Sequence, residues 1–251
     1  GQIDLSFGSV VALSALTGAV TLQATKIWWL GALAGLASGI LVGLINGLFT
    51  LGFRLPSFLV TLATMGIVAG VARVITDLQS VPVTNPIFVS ILGGGRIGPF
   101  STILLWMVLT AAVGWHFLRQ RRYGAHVLAV GNNPAAAAAS GVNVFRTRLS
   151  VFILMSGTAA LAGLLYAGRL EGARYTLGET DLLTVIAAVI VGGTSLFGGR
   201  GSVVGSVVGA VLLSIINNGL IIAGLSVSQQ MIVKGVIILL AVALSLREEK
   251  T

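Results

Sequence analysis

No cysteine occurs in this chain, so a disulfide framework and a thiolate metal site are both excluded, and cysteine usage carries no message about redox compartment. Charge is nearly as scarce: Asp, Glu, Lys and Arg make up 9% of the residues, against about 25% in an ordinary soluble domain. The two histidines, His116 and His126, have neither cysteine partners nor paired acids at metal-ligand spacing. Each reads as an interfacial or solvated side chain. Lysine stands only at positions 26, 234 and 250, and the phosphate-binding pattern G-x-x-x-x-G-K-[ST] is missing. Its nearest imitation, GGTSLFGGRGS, has arginine in the lysine region. Charged groups suited to a proton or sodium relay are absent from the centres of the apolar stretches, which disfavours coupling to an ion gradient. The chain therefore does not read as an enzyme, and no metal or cofactor is expected on it.

What the sequence does hold is apolar length. Hydrophobic residues make up 56% of the chain and the mean hydropathy is +1.02, which predicts an all-α polytopic membrane protein. A transmembrane helix needs about 20 mostly apolar residues. Eight stretches qualify or come close: 7–22, 27–49, 57–75, 101–118, 149–167, 182–196, 202–225 and 231–246, of which the first, sixth and last are short. The excess of 15 Lys and Arg over 7 Asp and Glu, a net charge of +8, would suggest nucleic acid in a soluble chain. Here the basic residues sit mainly in short loops between apolar stretches, so they report topology and no nucleic-acid partner is expected. With the 119–148 loop on the inner side, Arg54, Arg119, Arg121, Arg122, Arg146, Arg148, Arg200, Arg247 and Lys250 fall inside, and Lys26, Arg73, Arg96, Arg169, Arg174 and Lys234 fall at or near the outer side.

On the outer side, residues 76–99 contain Pro82, Pro86, Pro99 and the run Gly93-Gly94-Gly95, which preclude one continuous helix. They read either as a connecting loop or as a docking surface. Two glycine series recur at every fourth position: Gly31, Gly35, Gly39, Gly43 and Gly47, then Gly201, Gly205 and Gly209. Such spacing makes a side-chain-free groove along a helix, for tight packing or for helices that slide. Asn46, Thr61, Thr64, Asn217 and Asn218 are polar residues within apolar stretches. They are expected to face the interior, as interhelical hydrogen-bond partners or as the lining of a translocation path.

Four blocks spread over the chain carry a resemblance: GQIDLSFGSV, NGLFTLGFRLPSFLVTLATMGIVAG, RRYGAHVLAVGNNPAAAAASGV and IAAVIVGGTSLFGGRGSVVGSVVGAVLLSIINNGL. Together they resemble the permease subunits of bacterial ABC importers for monosaccharides of the ribose, xylose and galactose type, within the branched-chain amino acid and ribose permease superfamily. Members have ten helices, and the resemblance implies that this chain holds helices three to ten as a single permease domain, the first two being missing. It further implies a bacterial inner-membrane location with the 119–148 loop and the C-terminus cytoplasmic. The implied partners are a cytoplasmic ATPase carrying ATP and Mg, a second permease copy or paralogue, an extracytoplasmic sugar-binding protein and membrane lipids.

In this family the 119–148 loop contains the short helices that dock on the ATPase. Within GNNPAAAAASGV, Asn133 suits an N-cap, Pro134 the first turn, and Gly141 the stop of a small-residue helix. Asn132, Asn133, Pro134, Ala136, Ala137, Ala138, Ser140 and Gly141 are thus the residues expected to couple to the ATPase. Many relatives carry glutamate and arginine where this chain has alanines at 136–139, so its contact is expected to be less ionic. Permeases for autoinducer-2, nucleosides and branched-chain amino acids look similar, and a receptor or scaffold that transports nothing is a further alternative.

Overall fold

The protein's computed structural model describes residues 1–248. Lys250 and the extreme C-terminus, assigned to the inner side from sequence, lie outside the described residues. In chain order the elements are α1 (Phe7–Thr25), α2 (Trp28–Gly52), α3 (Ser57–Val74), β1 (Val81–Pro82), α4 (Pro86–Val89), β2 (Arg96–Ile97), β3 (Phe100–Ser101), α5 (Thr102–Trp115), α6 (Arg122–Asn132), α7 (Pro134–Ala139), α8 (Val144–Arg169), β4 (Gly172–Ala173), α9 (Asp181–Val191), α10 (Val203–Ile222) and α11 (Val227–Glu248). Wide helical turns at Ser90–Gly94 and His116–Gln120 continue α4 and α5. Among the described residues six helices are long and apolar enough to cross a membrane: α1, α2, α3, α5 with its continuation to Gln120, α8 and α10. The chain is a mostly helical, multi-pass membrane protein.

The sixth apolar stretch of the sequence, 182–196, forms the shorter α9. It stops because Gly193 turns left-handed at φ 79°, where its N–H reaches the Ile190 carbonyl and the Thr194 N–H reaches that of Val189. The same glycine-terminated geometry ends α10 at Gly224, φ 77°. A residue with a Cβ adopts this conformation only at a cost, which is why glycine punctuates these ends.

Two compact units make up the chain. The first holds Ile3–Thr110 and Asn143–Glu179. At its centre α1 is so enclosed that Val10, Val11, Ala15, Leu16 and Ala19 have no exposed surface. Around it pack α2, α3 and α8. All five ridge glycines of α2 are buried, and a Cβ built at Gly35 would lie 2.7 Å from the Ser14 carbonyl oxygen, at Gly39 2.8 Å from that of Ser156, and at Gly43 2.5 Å from that of Phe152. The groove therefore receives the backbones of α1 and α8 directly. Residues 81–95 are built into this unit: β1 pairs antiparallel with β4, and Val83 and Phe88 are fully buried. At Gly93, φ 136°, the chain lies against the α8 backbone, with an added Cβ 2.7 Å from the Leu165 carbonyl.

The second unit holds Gly1–Gln2, Ala111–Val142 and the described residues from Thr180 onward. Here α10 packs on α9 at Gly205 and Gly209, where an added Cβ would collide with the carbonyls of Gly192 and Ala188. Gly201, the first of the second glycine series, precedes α10, and a Cβ there would meet only the Thr194 side chain, at 3.5 Å. Ala187, Ala188 and Leu213 form a small core, with α11 against α9. Outward positions such as Leu33, Ile67, Val108 and Ile222 carry exposed apolar side chains, a surface suited to hydrocarbon.

Replacing Gly39 with leucine should cost about 1–3 kcal/mol by overpacking, if water-soluble cores are a guide. Gly66→Ala, at a helical position with nothing within 4 Å, should be neutral or slightly stabilising. Thermal unfolding of the detergent-solubilised protein measures both, and an unchanged midpoint for Gly39→Leu would contradict the groove.

Candidate functional site

Between α5 and α8 the chain leaves the apolar spans and forms two short helices. Gly124, Val127, Leu128, Val130 and Gly131 of α6 are wholly or partly buried, while Arg122, Ala125, His126 and Ala129 are exposed. The helix is amphipathic, as a segment lying on a protein surface should be. Before it, His116 Nε2 accepts a hydrogen bond from Arg121 Nε at 2.9 Å.

The second helix, α7, is fixed at both ends by its own sequence. Asn133 accepts hydrogen bonds at Oδ1 from the amides of Ala135 and Ala136, both at 3.0 Å, and Pro134 occupies the first turn, where a missing N–H costs nothing. At the other end Gly141 adopts φ 84°. Its N–H reaches the Ala138 carbonyl and the Val142 N–H that of Ala137, each at 3.0 Å, while Ser140 Oγ donates to the Ala136 carbonyl. Every group needed to define six helical residues is thus local.

One alanine differs from the rest. Ala137 is buried, whereas Ala135, Ala136, Ala138, Ala139 and Ser140 are exposed. The buried methyl sets which face of α7 is turned to the protein. The other face is small, uncharged and free, and the exposed Arg119, Arg121, Arg122 and Arg146 flank it in sequence. Asn132 is exposed at the C-terminal end of α6.

The polar residues within the spans fall into two groups. Asn46, with no exposed surface, donates from Nδ2 to Ser6 Oγ at 3.0 Å, and Ser6 Oγ in turn donates to Asp4 Oδ1 at 2.5 Å. Thr61 Oγ1 accepts from the Leu5 amide at 3.0 Å, and Ser57 Oγ accepts from that of Ile3 at 3.3 Å. These bonds hang the non-helical residues 3–6 on α2 and α3. Thr64 bonds back to its own helix, at the Val60 carbonyl. Asn217 and Asn218 belong to the other unit, where Asn218 is exposed and Asn217 lines a small cavity of about 10 Å³ with Thr184 and Lys234. The part played by Asp4, Ser6 and Ser57 escaped sequence reasoning, although Asp-x-Ser directly before an apolar run is a recognisable helix-start signal.

The long apolar helices are those of a membrane-crossing bundle, and comparison with known proteins supplies the class. Residues 1–242 match the family described as branched-chain amino acid transport system / permease component. The chain belongs to this family. It is 37% identical over 245 residues to the ribose import permease protein RbsC of Escherichia coli (strain K12), covering 96% of this chain and 76% of that protein. With RbsC of Bacillus subtilis (strain 168) the identity is 36% over 246 residues, 97% of this chain and 76% of the relative. With the galactose/methyl galactoside import permease protein MglC of Escherichia coli (strain K12) it is 36% over 266 residues, covering 96% and 77%. No solved structure matches the chain significantly.

Removing the α7 cap by Asn133→Ala should cost about 1 kcal/mol locally. The Ala135 and Ala136 amides should then exchange with solvent hydrogen faster than in the parent, while Asn133→Asp keeps them protected. Equal protection in all three proteins would show that the cap does not hold the helix.

Proposed function

We propose that this chain is the membrane-spanning permease subunit of an ATP-driven importer for a monosaccharide. The observation that carries the reading is the match of nearly the whole chain to import permeases for ribose and galactose. In this reading α9 and α11 join the six long helices to give eight spans, in the inner membrane of a bacterium. The 119–148 loop and the C-terminus lie in the cytoplasm, the orientation favoured by the loop's arginines. The protein pairs with a second permease, receives sugar from an extracytoplasmic binding protein and takes its driving force from a separate ATPase that holds ATP and Mg. Asn132 to Gly141 form the coupling element: α7 enters a cleft of the ATPase, and closure of the ATPases displaces it, switching the permeases between outward and inward access.

The family description names branched-chain amino acids, which keeps a second cargo class in view. Uptake by the assembled importer, with the binding protein present, separates the two: labelled ribose, galactose and xylose should compete with one another's transport or be carried, and leucine should not. Carriage of leucine, a nucleoside or autoinducer-2 with no sugar uptake would replace the sugar by that cargo. No uptake of any kind would favour a receptor or scaffold.

The coupling element has its own test. A charge at Ala136 or Ala138 enters the face free for a partner, and a desolvated unpaired charge there is costly. Ala138→Arg should leave the amount of permease in the membrane unchanged, reduce recovery of the ATPase in pull-downs and abolish uptake. Full recovery and full uptake with arginine at both positions would remove the assignment. The purified permease alone should hydrolyse no ATP.

A further inference from the structure

The loop between α9 and α10, GGTSLFGGRGS, only imitates a phosphate loop in sequence, and the proposed function gives it no role. In the structure it is a tight, internally bonded turn. The Ser195 amide donates to the Arg200 carbonyl at 3.1 Å, the Gly198 amide to the Ser195 carbonyl at 3.4 Å, and the Phe197 amide to Ser195 Oγ at 3.2 Å. Its two ends are clamped where Gly192 and Gly205 bring α9 and α10 into backbone contact. The turn is consequently stiff, and whatever moves it moves both helices.

Its tip touches the loop that carries α7. A Cβ at Gly131, in the last turn of α6, would lie 2.7 Å from the Gly199 amide nitrogen. A Cβ at Gly198 would lie 2.6 Å from the Gly131 carbonyl oxygen, and one at Gly199 3.0 Å from Cα and Cβ of Asn132. Gly198 and Gly199 also stand at φ 94° and 76°, a region that residues with a Cβ rarely adopt. Gly131, Gly198 and Gly199 thus meet backbone to backbone, with Cα, Cβ and Oδ1 of Asn132 against Gly199. Asn132, expected from sequence to couple to the ATPase, and the 193–199 stretch, an imperfect imitation of a phosphate loop, are seated one upon the other.

We infer that the Gly198–Gly199 turn is the seat on which the coupling loop bears, so that displacement of α6 and α7 is passed by direct backbone contact to α9 and α10. The inference rests on the reading of α7 as the ATPase contact. Backbone against backbone transmits a push without the give of a rotatable side chain, because close-packed groups resist compression. Gly131, Gly198 and Gly199 are positioning residues in this scheme and touch neither nucleotide nor cargo.

The test separates the seat from the docking. Alanine is intrinsically the better helix former at position 131, so harm from Gly131→Ala comes from its methyl meeting Gly199. The variant, expressed with the ATPase and the binding protein, should reach the membrane and recover the ATPase as the parent does, hydrolyse ATP and lose uptake. Gly201→Ala, in the same turn with room for a methyl, should transport as the parent does. Parent-level uptake by Gly131→Ala would overturn the seat and leave the docking of α7 standing, whereas failure of the parent to recover the ATPase would overturn both. Should Gly131→Ala insert poorly, hydrogen exchange on the parent importer decides. A non-hydrolysable ATP analogue should change exchange in peptides covering 131–133 and 195–201 together. A change confined to 131–133 overturns the proposal.

Discussion

Direct contact between helix backbones is the constraint on which this protein depends. Between helices in lipid the hydrophobic effect gives no net attraction, because lipid tails are as apolar as leucine, so association rests on close packing and on hydrogen bonds. Dispersion is weak for each atom pair and needs many contacts at short range. Glycine supplies that range by removing the side chain, at an intrinsic cost of roughly 1 kcal/mol per helical position. Five such positions lie along one face of α2, and each is occupied by the backbone or side chains of α1 or α8. Gly52, Gly66 and Gly70, off these ridges, have open space around them. The ridge is therefore where the cost of glycine is offset by contact, and the same device joins α9 to α10.

Hydrogen bonding meets the second demand of the membrane. Residues 3–6 are not helical, and their backbone groups would be left unpaired beside apolar helices, a situation tolerated only where protein supplies partners. Ser57, Thr61 and Asp4 supply them. Because Ser6 donates its hydroxyl proton to Asp4, its oxygen is left as an acceptor for Asn46 Nδ2, which fixes the amide orientation. The carboxylate also stands at the N-terminus of α1, the end of a helix dipole that favours negative charge. Asn46 and Thr61 in this arrangement bond segments together.

Much of this was legible in the sequence because two signals are local and strong. Apolar length located the long spans: 57–75 against Ser57–Val74, and 202–225 against Val203–Ile222. Cap chemistry located α7, since Asn-Asn-Pro and Ser-Gly act within a few residues of their own position. The misses are of another kind. Residues 81–95 showed only helix breakers, yet β1 pairs with β4, more than eighty residues later, a contact no local pattern encodes. The resemblance implied short helices in the 119–148 loop, but the bounds of α6 and its amphipathic face were hidden among basic residues that report topology. Which face of α7 is free depended on the burial of Ala137, and five identical alanines cannot announce it.

Stiffness and neutrality together explain why this loop is built from alanine. A helix of six residues has no stability of its own in water, since nucleation is costly and few bonds repay it. Here the caps at Asn133 and Gly141 replace that missing cooperativity with specific bonds, and the buried Ala137 fixes the rotation of the helix. Alanine then gives the exposed face no rotamers to lose and no charge to desolvate. A contact made by such a surface gains little energy from any one side chain, so its specificity comes from the position and orientation of the whole helix. Those are set by the chain that leads into it, by Gly131 and Asn132 against the α9–α10 turn. The plainest stretch of the sequence is thus held in place by the residues at its margins.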